Sequence, residues 1–209
     1  TGRVMAVEPA AEILAMAREQ ADRDGLANID WRVAPAEAPG ELPAAHCHAA
    51  TCRWGLMYLA DPVAALRHVR RALRPDGVLV AALWAEPERV PYYTLPRALL
   101  ERYAPVPAID FEAPGTFRFA HLERITRDFD AAGFRIDAIE EMDLPVFEAA
   151  TAEEVIAWAR AFSLARLLAG LPDAVQQAWA RDFAAALEAR RTGGPLRLGG
   201  VTRIVTARP

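Results

Sequence analysis

The sequence predicts an α/β fold of the Rossmann-like type: a mostly parallel sheet with helices on both faces, an antiparallel last strand and a small helical or lid-like cap. Strand-like and helix-like segments alternate through the first half of the 209-residue chain. Residues 78–84 are apolar throughout, which is typical of a strand covered on both faces. Strand–helix–strand units of this kind form parallel sheets with right-handed crossovers.

In the first half, strands are predicted over residues 3–8, 29–33, 47–52 and 78–84. The first is expected to be buried and ends in an acidic residue, Glu8. Residues 10–23 follow as a helix whose apolar positions Ile13, Leu14, Ala17 and Ala21 recur at helical spacing, and Gly25 ends it. A loop is expected over residues 34–45. Asp61 and Pro62 predict the start of a second helix, because aspartate caps helices and proline fits their first turn. A turn at 75–77 leads into the fourth strand.

The second half is organised differently. Residues 85–120 are rich in proline and aromatic residues and predict an irregular lid, since their aromatic content is untypical of disorder. Further elements are predicted as helices over 121–132, 152–170 and from 172, and as strands over 134–144 and 201–206. We therefore expect a core formed by residues 1–84, 121–144 and 195–209, with the lid at 85–120 and a helical cap at 150–192.

Composition excludes several classes of protein. The net charge is −4 and all 24 basic residues are arginine without a clustered basic stripe, so nucleic-acid binding is not expected. Nothing approaches the apolar run that a membrane span needs, and no secretory leader pattern is visible. Cys47 and Cys52 point to opposite faces of one predicted strand and should not bridge each other. Together with the arginine and alanine bias, these features favour a bacterial, cytoplasmic protein.

Six segments resemble, in order and spacing, the class I S-adenosylmethionine-dependent methyltransferases of the UbiE-like, small-molecule type. They are residues 3–18, 51–58, 61–62, 73–77, 131–134 and 202–208. The resemblance implies S-adenosylmethionine as cofactor and methyl transfer to a small, hydrophobic or aromatic molecule. It also implies a central strand and a glycine-rich loop ahead of residue 3. We therefore expect the core to be incomplete at its N-terminus, with no segment of residues 1–209 supplying that strand.

The resemblance assigns Glu8 to the ribose hydroxyls of the cofactor. A carboxylate suits this role because it can accept two hydrogen bonds from a vicinal diol; the alternative is a carboxylate at a helix start. Ile13 matches an apolar position near adenine, with a plain core position as the alternative. The family's acidic residue after the next strand falls at Pro35, and Glu37 is its possible substitute. The predicted cofactor-binding residues are Glu8, Pro9, Ile13, Ala36, Glu37, Thr51, Cys52 and Arg53.

No compact catalytic motif is expected, because methyl transfer can gain most of its rate from orientation and from exclusion of water. If a general base takes part, His121 and Tyr58 are the candidates, each with packing or surface exposure as the alternative. The predicted substrate-contacting residues are Trp54, Met57, Tyr92 and Tyr93. The tract His46–Cys47–His48 superficially resembles a metal site, but a second ligand cluster is lacking and no metal is predicted.

A second function remains open at this point. A protein with the methyltransferase fold can serve as a binding or partner subunit, or use its pocket for cyclisation or rearrangement; Pro35 and His48 motivate this alternative. A nicotinamide-dependent dehydrogenase is a weaker hypothesis, because the chain has no lysine for the tyrosine–lysine pair that such enzymes commonly use in catalysis. The expected partner is a small molecule, and the apolar helices of 152–190 could also form a homodimer interface.

Overall fold

The structure is a computed structural model, and it describes residues 2–40 and 42–209. Thr1, where the predicted core begins, and Glu41, in the predicted loop 34–45, lie outside the described residues. The strands are β1 (Val4–Glu8), β2 (Ile29–Val33), β3 (Cys47–Arg53), β4 (Leu73–Trp84), β5 (Arg135–Ala149) and β6 (Leu196–Arg208). The α-helices are α1 (Ala11–Arg23), α2 (Pro62–Ala72), α3 (Pro91–Leu100), α4 (Leu122–Ala131), α5 (Ala152–Ala161), α6 (Ala165–Leu168) and α7 (Asp173–Glu188). Short 3₁₀ turns occupy Leu56–Tyr58 and Pro87–Arg89.

The strands form two sheets, one of β1 and β2 and one in the order β3-β4-β6-β5. β1 and β2 are parallel, with Glu8 opposite Val33. Within the described residues neither sheet holds a further strand.

Side-chain and backbone contacts give the strand directions in the larger sheet. His48 of β3 contacts Arg74 of β4, and the preceding residues pair in the same sense, His46 N–H with the Ala72 carbonyl, so β3 and β4 are parallel. Arg208 and Arg197 of β6 bind Asp137 and Glu148 of β5, so residue numbers fall on one strand as they rise on the other. β6 is therefore antiparallel to β5, and the predicted α/β class with an antiparallel last strand is confirmed.

The chain divides into two compact units. The first comprises the N-terminal residues to Ala81, with Leu122–Ile139 and Val205–Pro209. The second comprises Ala82–His121 and Glu140–Ile204, so the boundaries fall inside β4, β5 and β6.

Glycine ends two helices of the first unit as predicted. Gly25 has φ of 69° and lets the Leu26 N–H reach back to the Ala21 carbonyl at 2.8 Å, which closes α1. Gly133 has φ of 85° and closes α4 in the same way. A Cβ at Gly133 would also lie 3.0 Å from Arg70 Nε. That arginine donates to the Gly133 carbonyl at 2.9 Å and so ties α2 to the end of α4.

Several predicted boundaries are wrong. β4 starts at Leu73, ahead of the predicted residue 78, and includes exposed residues that hydrophobicity does not mark. The chain still bends sharply over residues 74–77, because a Cβ at Gly77 would lie 2.9 Å from the Arg74 carbonyl oxygen. Residues 91–100 of the predicted irregular lid form α3, since proline at its first position begins a helix well. The predicted helix 152–170 is interrupted after Ala161, giving α5 and the short α6.

Burial also departs from the helical pattern at the surface. Leu14 and Ala21 of α1 are buried as predicted, but Ile13 is 57% exposed and Ala17 is exposed. β1, predicted to be buried, is half-buried, because within the described residues its only ladder is to β2. The core of the second unit, by contrast, contains fully buried aromatic residues of α7, Trp179 and Phe183.

Candidate functional site

Glu8 stands at the carboxyl end of β1, immediately before the link to α1. Its carboxylate is half-buried, and Oε1 accepts a hydrogen bond from the Ala10 backbone N–H at 3.0 Å. This hydrogen bond is the contact at a helix start that was the alternative to the ribose-binding role of Glu8. Oε2 accepts no hydrogen bond from residues 2–40 or 42–209, so the carboxylate retains acceptor capacity for a ligand.

The surface beside Glu8 is apolar. Ile13 lies in the first turn of α1, the end of the helix that Glu8 precedes, and its side chain is more than half exposed. Pro9 is exposed between them. A half-buried carboxylate next to exposed apolar side chains suits a nucleoside, which presents hydroxyls on its sugar and a flat apolar face on its base.

The second predicted cofactor segment is held by its acidic residue. Glu37 Oε1 accepts a hydrogen bond from the Ala60 N–H at 2.9 Å and so anchors the loop after β2 to the segment before α2. Ala36 is half-buried beside it. Glu37 therefore has an architectural contact, which it would have to keep while also binding the adenine amino group.

The segment that follows β3 makes a tight, strained turn. Trp54 has φ of 54°, a left-handed conformation that costs energy for a side chain of its size. The Arg53 guanidinium lies over the Trp54 ring, 5.3 Å from its centroid. Thr51 and Arg53 are exposed, whereas burial raises the pKa of the Cys52 thiol above its ordinary value.

Two predicted ligand-contacting residues of this turn differ in their accessibility. Met57 is fully buried in the first unit, which favours a packing role over contact with substrate. Tyr58 is 49% exposed and is accessible to a ligand. Cys47 and Cys52 are both free thiols, as predicted.

Tyr92 and Tyr93 of α3 belong to an aromatic cluster in the second unit. The Tyr92 ring is buried between Trp84 and Trp158, at centroid distances of 6.1 and 4.6 Å. The Tyr93 ring meets Phe117 edge-on at 6.1 Å. Tyr92 is therefore a packing residue of this cluster, whereas Tyr93 lines the cavity described next.

A cavity of about 270 Å³ lies within the second unit. Its lining includes Tyr93, Arg97, Asp110, Phe117, Ser163 and Leu164. Tyr93 and Arg97 are one helical turn apart on α3, which places both on the face that borders the cavity. The Ser163 hydroxyl is buried, and it has no hydrogen-bond partner among the described residues.

His121, the candidate base of the second unit, is exposed. The centroid of its ring lies 4.8 Å from that of the Phe111 ring, at an interplanar angle of 47°.

In the metal-like tract 46–48, His48 Nε2 lies 2.7 Å from Arg74 Nη1. Within residues 2–40 and 42–209, no three histidine, cysteine or acidic side chains are grouped closely enough to hold a metal ion.

Sequence reasoning missed an ionic cluster in the second unit. Arg203 is 2% exposed and donates to Glu86, to Glu141 at 3.0 Å and to the Ala120 carbonyl. Glu141 also receives two hydrogen bonds from Arg89, at 3.0 and 2.7 Å. The hydrogen bonds from Arg89, and then those from Arg203, lower the pKa of Glu141 to about 2. No local pattern signals this cluster, because its members come from distant parts of the chain.

Arg97 and Ser163 were also missed. The i, i+4 spacing of Tyr93 and Arg97 is visible in the sequence, but it carries meaning only once residues 91–100 are known to form a helix.

The comparisons with known proteins concern both the sequence and the fold. Residues 1–81 match the sequence family described as a methyltransferase domain. No curated protein matches the chain. Within the described part of the chain, no helix combines the length and the apolarity required to cross a membrane.

Solved structures with a similar fold include methyltransferases and a cyclase. A candidate methyltransferase from Bacillus halodurans has a TM-score of 0.59 at 15% identity, over 99% of this chain and 82% of that one. An S-adenosylmethionine-dependent methyltransferase from Mesorhizobium loti has a TM-score of 0.52 at 19% identity, over 100% of this chain and 81% of that one. The 4+2 cyclase SpnF has a TM-score of 0.56 at 20% identity, over 99% of this chain and 66% of that one.

These findings agree with the predicted resemblance: the chain has a fold found in methyltransferases, and residues 1–81 match the methyltransferase-domain family. At such low identities the structural likeness shows the fold and leaves the reaction open. The UbiE-like subtype and the roles of the individual site residues stay predictions.

Proposed function

We propose that this protein is an S-adenosylmethionine-dependent methyltransferase that acts on a small, hydrophobic or aromatic molecule. The observation that carries the proposal is the position of Glu8. Its carboxylate ends a parallel strand inside the segment that matches the methyltransferase domain, and it keeps one oxygen without a partner in residues 2–40 and 42–209. In parallel α/β sheets, ligands bind beyond the carboxyl ends of the strands.

The residues of the first unit fit the nucleoside part of the cofactor. Glu8 would accept hydrogen bonds from the ribose hydroxyls, while the exposed side chains of Pro9 and Ile13 would cover the base. Residues near 36–37 and 51–53 would border the same ligand. When bound, S-adenosylmethionine supplies an electrophilic methyl group. The neighbours described as S-adenosylmethionine-dependent methyltransferases support this choice of cofactor.

On the substrate side the chain would contribute orientation and exclusion of water. Tyr93 and Trp54 would supply aromatic surface, with the buried Tyr92 ring packed behind as support, and His121 or Tyr58 would accept a proton where the substrate loses one. Tyr58 and His121 are exposed, so either can exchange protons with solvent. We also propose that the protein is bacterial, that it is cytoplasmic and that it forms a homodimer. Sedimentation of the protein as a concentration-independent monomer would overturn the last point.

A second function is supported by one comparison. The cyclase SpnF shares the fold, so the fold itself does not require methyl transfer. In that case the cofactor would serve as a bound, unreacted group, or would be absent. The two functions differ in whether S-adenosylhomocysteine accumulates when the protein turns over a small molecule.

Calorimetric titration with S-adenosylmethionine and S-adenosylhomocysteine tests the cofactor. Glu8→Gln keeps an oxygen that can accept from the Ala10 N–H but removes the charge, and it should weaken binding about 10- to 100-fold, as for hydrogen bonds to charged groups. Glu12→Gln, an exposed acidic residue in the first turn of α1, is the matched control and should bind as the wild type does.

The outcomes separate the parts of the proposal. No binding by the wild type at millimolar cofactor would refute the methyltransferase. Equal affinity in Glu8→Gln and Glu12→Gln would refute the ribose role of Glu8 alone. Binding without formation of S-adenosylhomocysteine in the presence of a converted small molecule would favour the cyclase-like alternative.

A further inference from the structure

We propose that the cavity of the second unit binds an aromatic carboxylic acid that also bears a hydroxyl or amino group. This assignment names the substrate class of the methyltransferase and, in that respect, rests on the proposed function. Binding of such a ligand to the cavity can be measured without the cofactor.

The size and the walls of the cavity select a flat, small ligand. Its volume of about 270 Å³ lies just below the roughly 300 Å³ at which pockets for drug-sized molecules begin, so one ring or two fused rings fit. Tyr93 and Phe117 meet edge to face in its wall, and Leu164 is buried beside it. An aromatic ring packed between such side chains gains both apolar burial and favourable ring geometry.

Arg97 supplies a cation that the protein does not neutralise. Its side chain lines the cavity and is half-buried, yet it makes no ion pair or hydrogen bond with any residue in 2–40 or 42–209. Two other arginines of this unit that are at least half-buried behave differently: Arg203 pairs with two carboxylates and Arg191 with Glu188. A partly desolvated guanidinium favours a planar anion, and a carboxylate matches its paired donors.

Two further residues of the lining, Asp110 and Ser163, favour a ligand that carries a hydrogen-bond donor. Asp110 uses Oδ1 to accept from the Glu112 and Ala113 backbone N–H groups, at 2.8 and 3.2 Å, which fixes its carboxylate at the cavity rim. Ser163 also lines the cavity, and its buried hydroxyl lacks a partner within the described residues. Because that oxygen has almost no accessible surface, it would meet a ligand only after the side chain rotates, and the cost of a buried hydroxyl without a hydrogen bond favours such a rotation.

The three groups therefore define the ligand by its polar ends. Asp110 would repel a purely anionic ligand, whereas a hydroxyl or amino group on the ring can donate to it. Arg97 discriminates against a neutral phenol, which offers no carboxylate. The combination selects a ring with an acidic group at one position and a donor group at another, and that donor is also a common methyl acceptor.

The test uses 6-hydroxy-2-naphthoic acid as the probe, with 2-naphthol and 2-naphthoic acid as matched ligands that lack the carboxylate or the hydroxyl. Calorimetric titration of the full protein without cofactor should give the tightest binding for the probe. Arg97→Gln should lower the affinity for the probe and for 2-naphthoic acid about 10-fold or more, and should change the affinity for 2-naphthol less than about threefold. Arg166→Gln, an exposed arginine of α6 outside the cavity lining, is the control and should leave all three unchanged.

Circular dichroism and the thermal midpoint check that both variants fold. Failure of the probe to bind, equal affinity for 2-naphthol and the probe, or equal losses in Arg97→Gln and Arg166→Gln would each overturn the proposal. Probe binding by a protein that does not bind S-adenosylmethionine would leave the ligand site standing and refute the methyltransferase. Cofactor binding without probe binding would do the reverse.

Discussion

The indole N–H of Trp179 donates a hydrogen bond of 2.9 Å to the carbonyl oxygen of Pro96. Trp179 lies on α7 and is fully buried, and Pro96 lies inside α3. A second link follows one turn along α7, where Asp182 accepts from the Tyr103 hydroxyl at 2.6 Å. Together these contacts fix α3, the helix that carries Tyr93 and Arg97 to the cavity.

Trp179→Phe should destabilise the protein by about 1–3 kcal/mol, because it removes a buried hydrogen bond and leaves a void. Chemical denaturation measures the change. Trp158→Phe is the matched control, since the contacts of Trp158 are ring contacts at a half-buried position, and it should cost less. A larger loss in Trp158→Phe would show that the hydrogen bond to Pro96 is not what fixes α3.

Arg203→Met should be among the most destabilising substitutions in the second unit, by about 3 kcal/mol or more. It would leave Glu86 and Glu141 with the exposed Arg89 in place of their buried shared cation and would strip the Ala120 carbonyl of its donor. Arg89→Met removes an exposed partner of the same Glu141 and should cost much less, because solvent screens exposed ion pairs. Urea denaturation of both variants compares them, and equal losses would contradict the central position of Arg203.

Acid should weaken the cluster through Glu141. Its folded pKa of about 2 lies below the ordinary value of 4.5, so its ionised form stabilises the protein above about pH 4.5, and this contribution is lost as the pH falls towards 2. Glu141→Gln lacks the contribution at every pH. The gap in thermal midpoint between wild type and Glu141→Gln should therefore be larger at pH 7 than at pH 3, and a gap that widens on acidification would contradict the assignment.

Cys52 should alkylate slowly, and only above the ordinary thiol range of about pH 8.5, because burial raises its pKa. The Cys47→Ser variant leaves Cys52 as the single thiol and isolates its rate with iodoacetamide at several pH values. Cys52→Ser leaves the half-buried Cys47 as the comparison. Rapid modification of Cys52 at neutral pH would show that the turn after β3 opens readily.

Gly199→Ala should prevent stable folding. A Cβ at Gly199 would lie 1.9 Å from the Leu144 carbonyl oxygen of β5, a distance that only a shift of backbone can relieve. Gly170→Ala is the control, because no atom lies within 4 Å of its would-be Cβ. Soluble expression and the thermal midpoint report the difference, and a folded Gly199→Ala protein would mean that β5 and β6 lie further apart.

Features with a local cause were predictable. Gly25, Gly133 and Asp61 act as helix-ending or helix-starting residues in the structure because a few neighbouring residues decide a cap. The apolar run of β4 is covered as its composition indicates. The start of β4 and the helix α3 were not predictable, since ladder partners decide the first, and aromatic packing overrides the proline-rich composition of the second.

The candidate site shows the same division. Glu8 was predictable from its place after a strand, but its contact with Ala10 required coordinates. Ile13 was expected near a ligand or in the core; its side chain is 57% exposed, so it is not a core residue, and its contact with a ligand stays a prediction. Met57 could not be told from a surface residue by its position in a turn, and it is fully buried.

The sequence by itself determined the alternation of strands and helices from β1 to β4, the helix caps and the position of Glu8, because alternation, periodicity and turn chemistry act over a few residues. Tertiary structure alone decided that Arg203 meets Glu141 and Glu86, which lie 62 and 117 positions away, and that Arg97 enters a cavity with Ser163. Such pairings arise from the packing of whole elements. Which distant charges are neutralised and which face a cavity is fixed only when those elements come together.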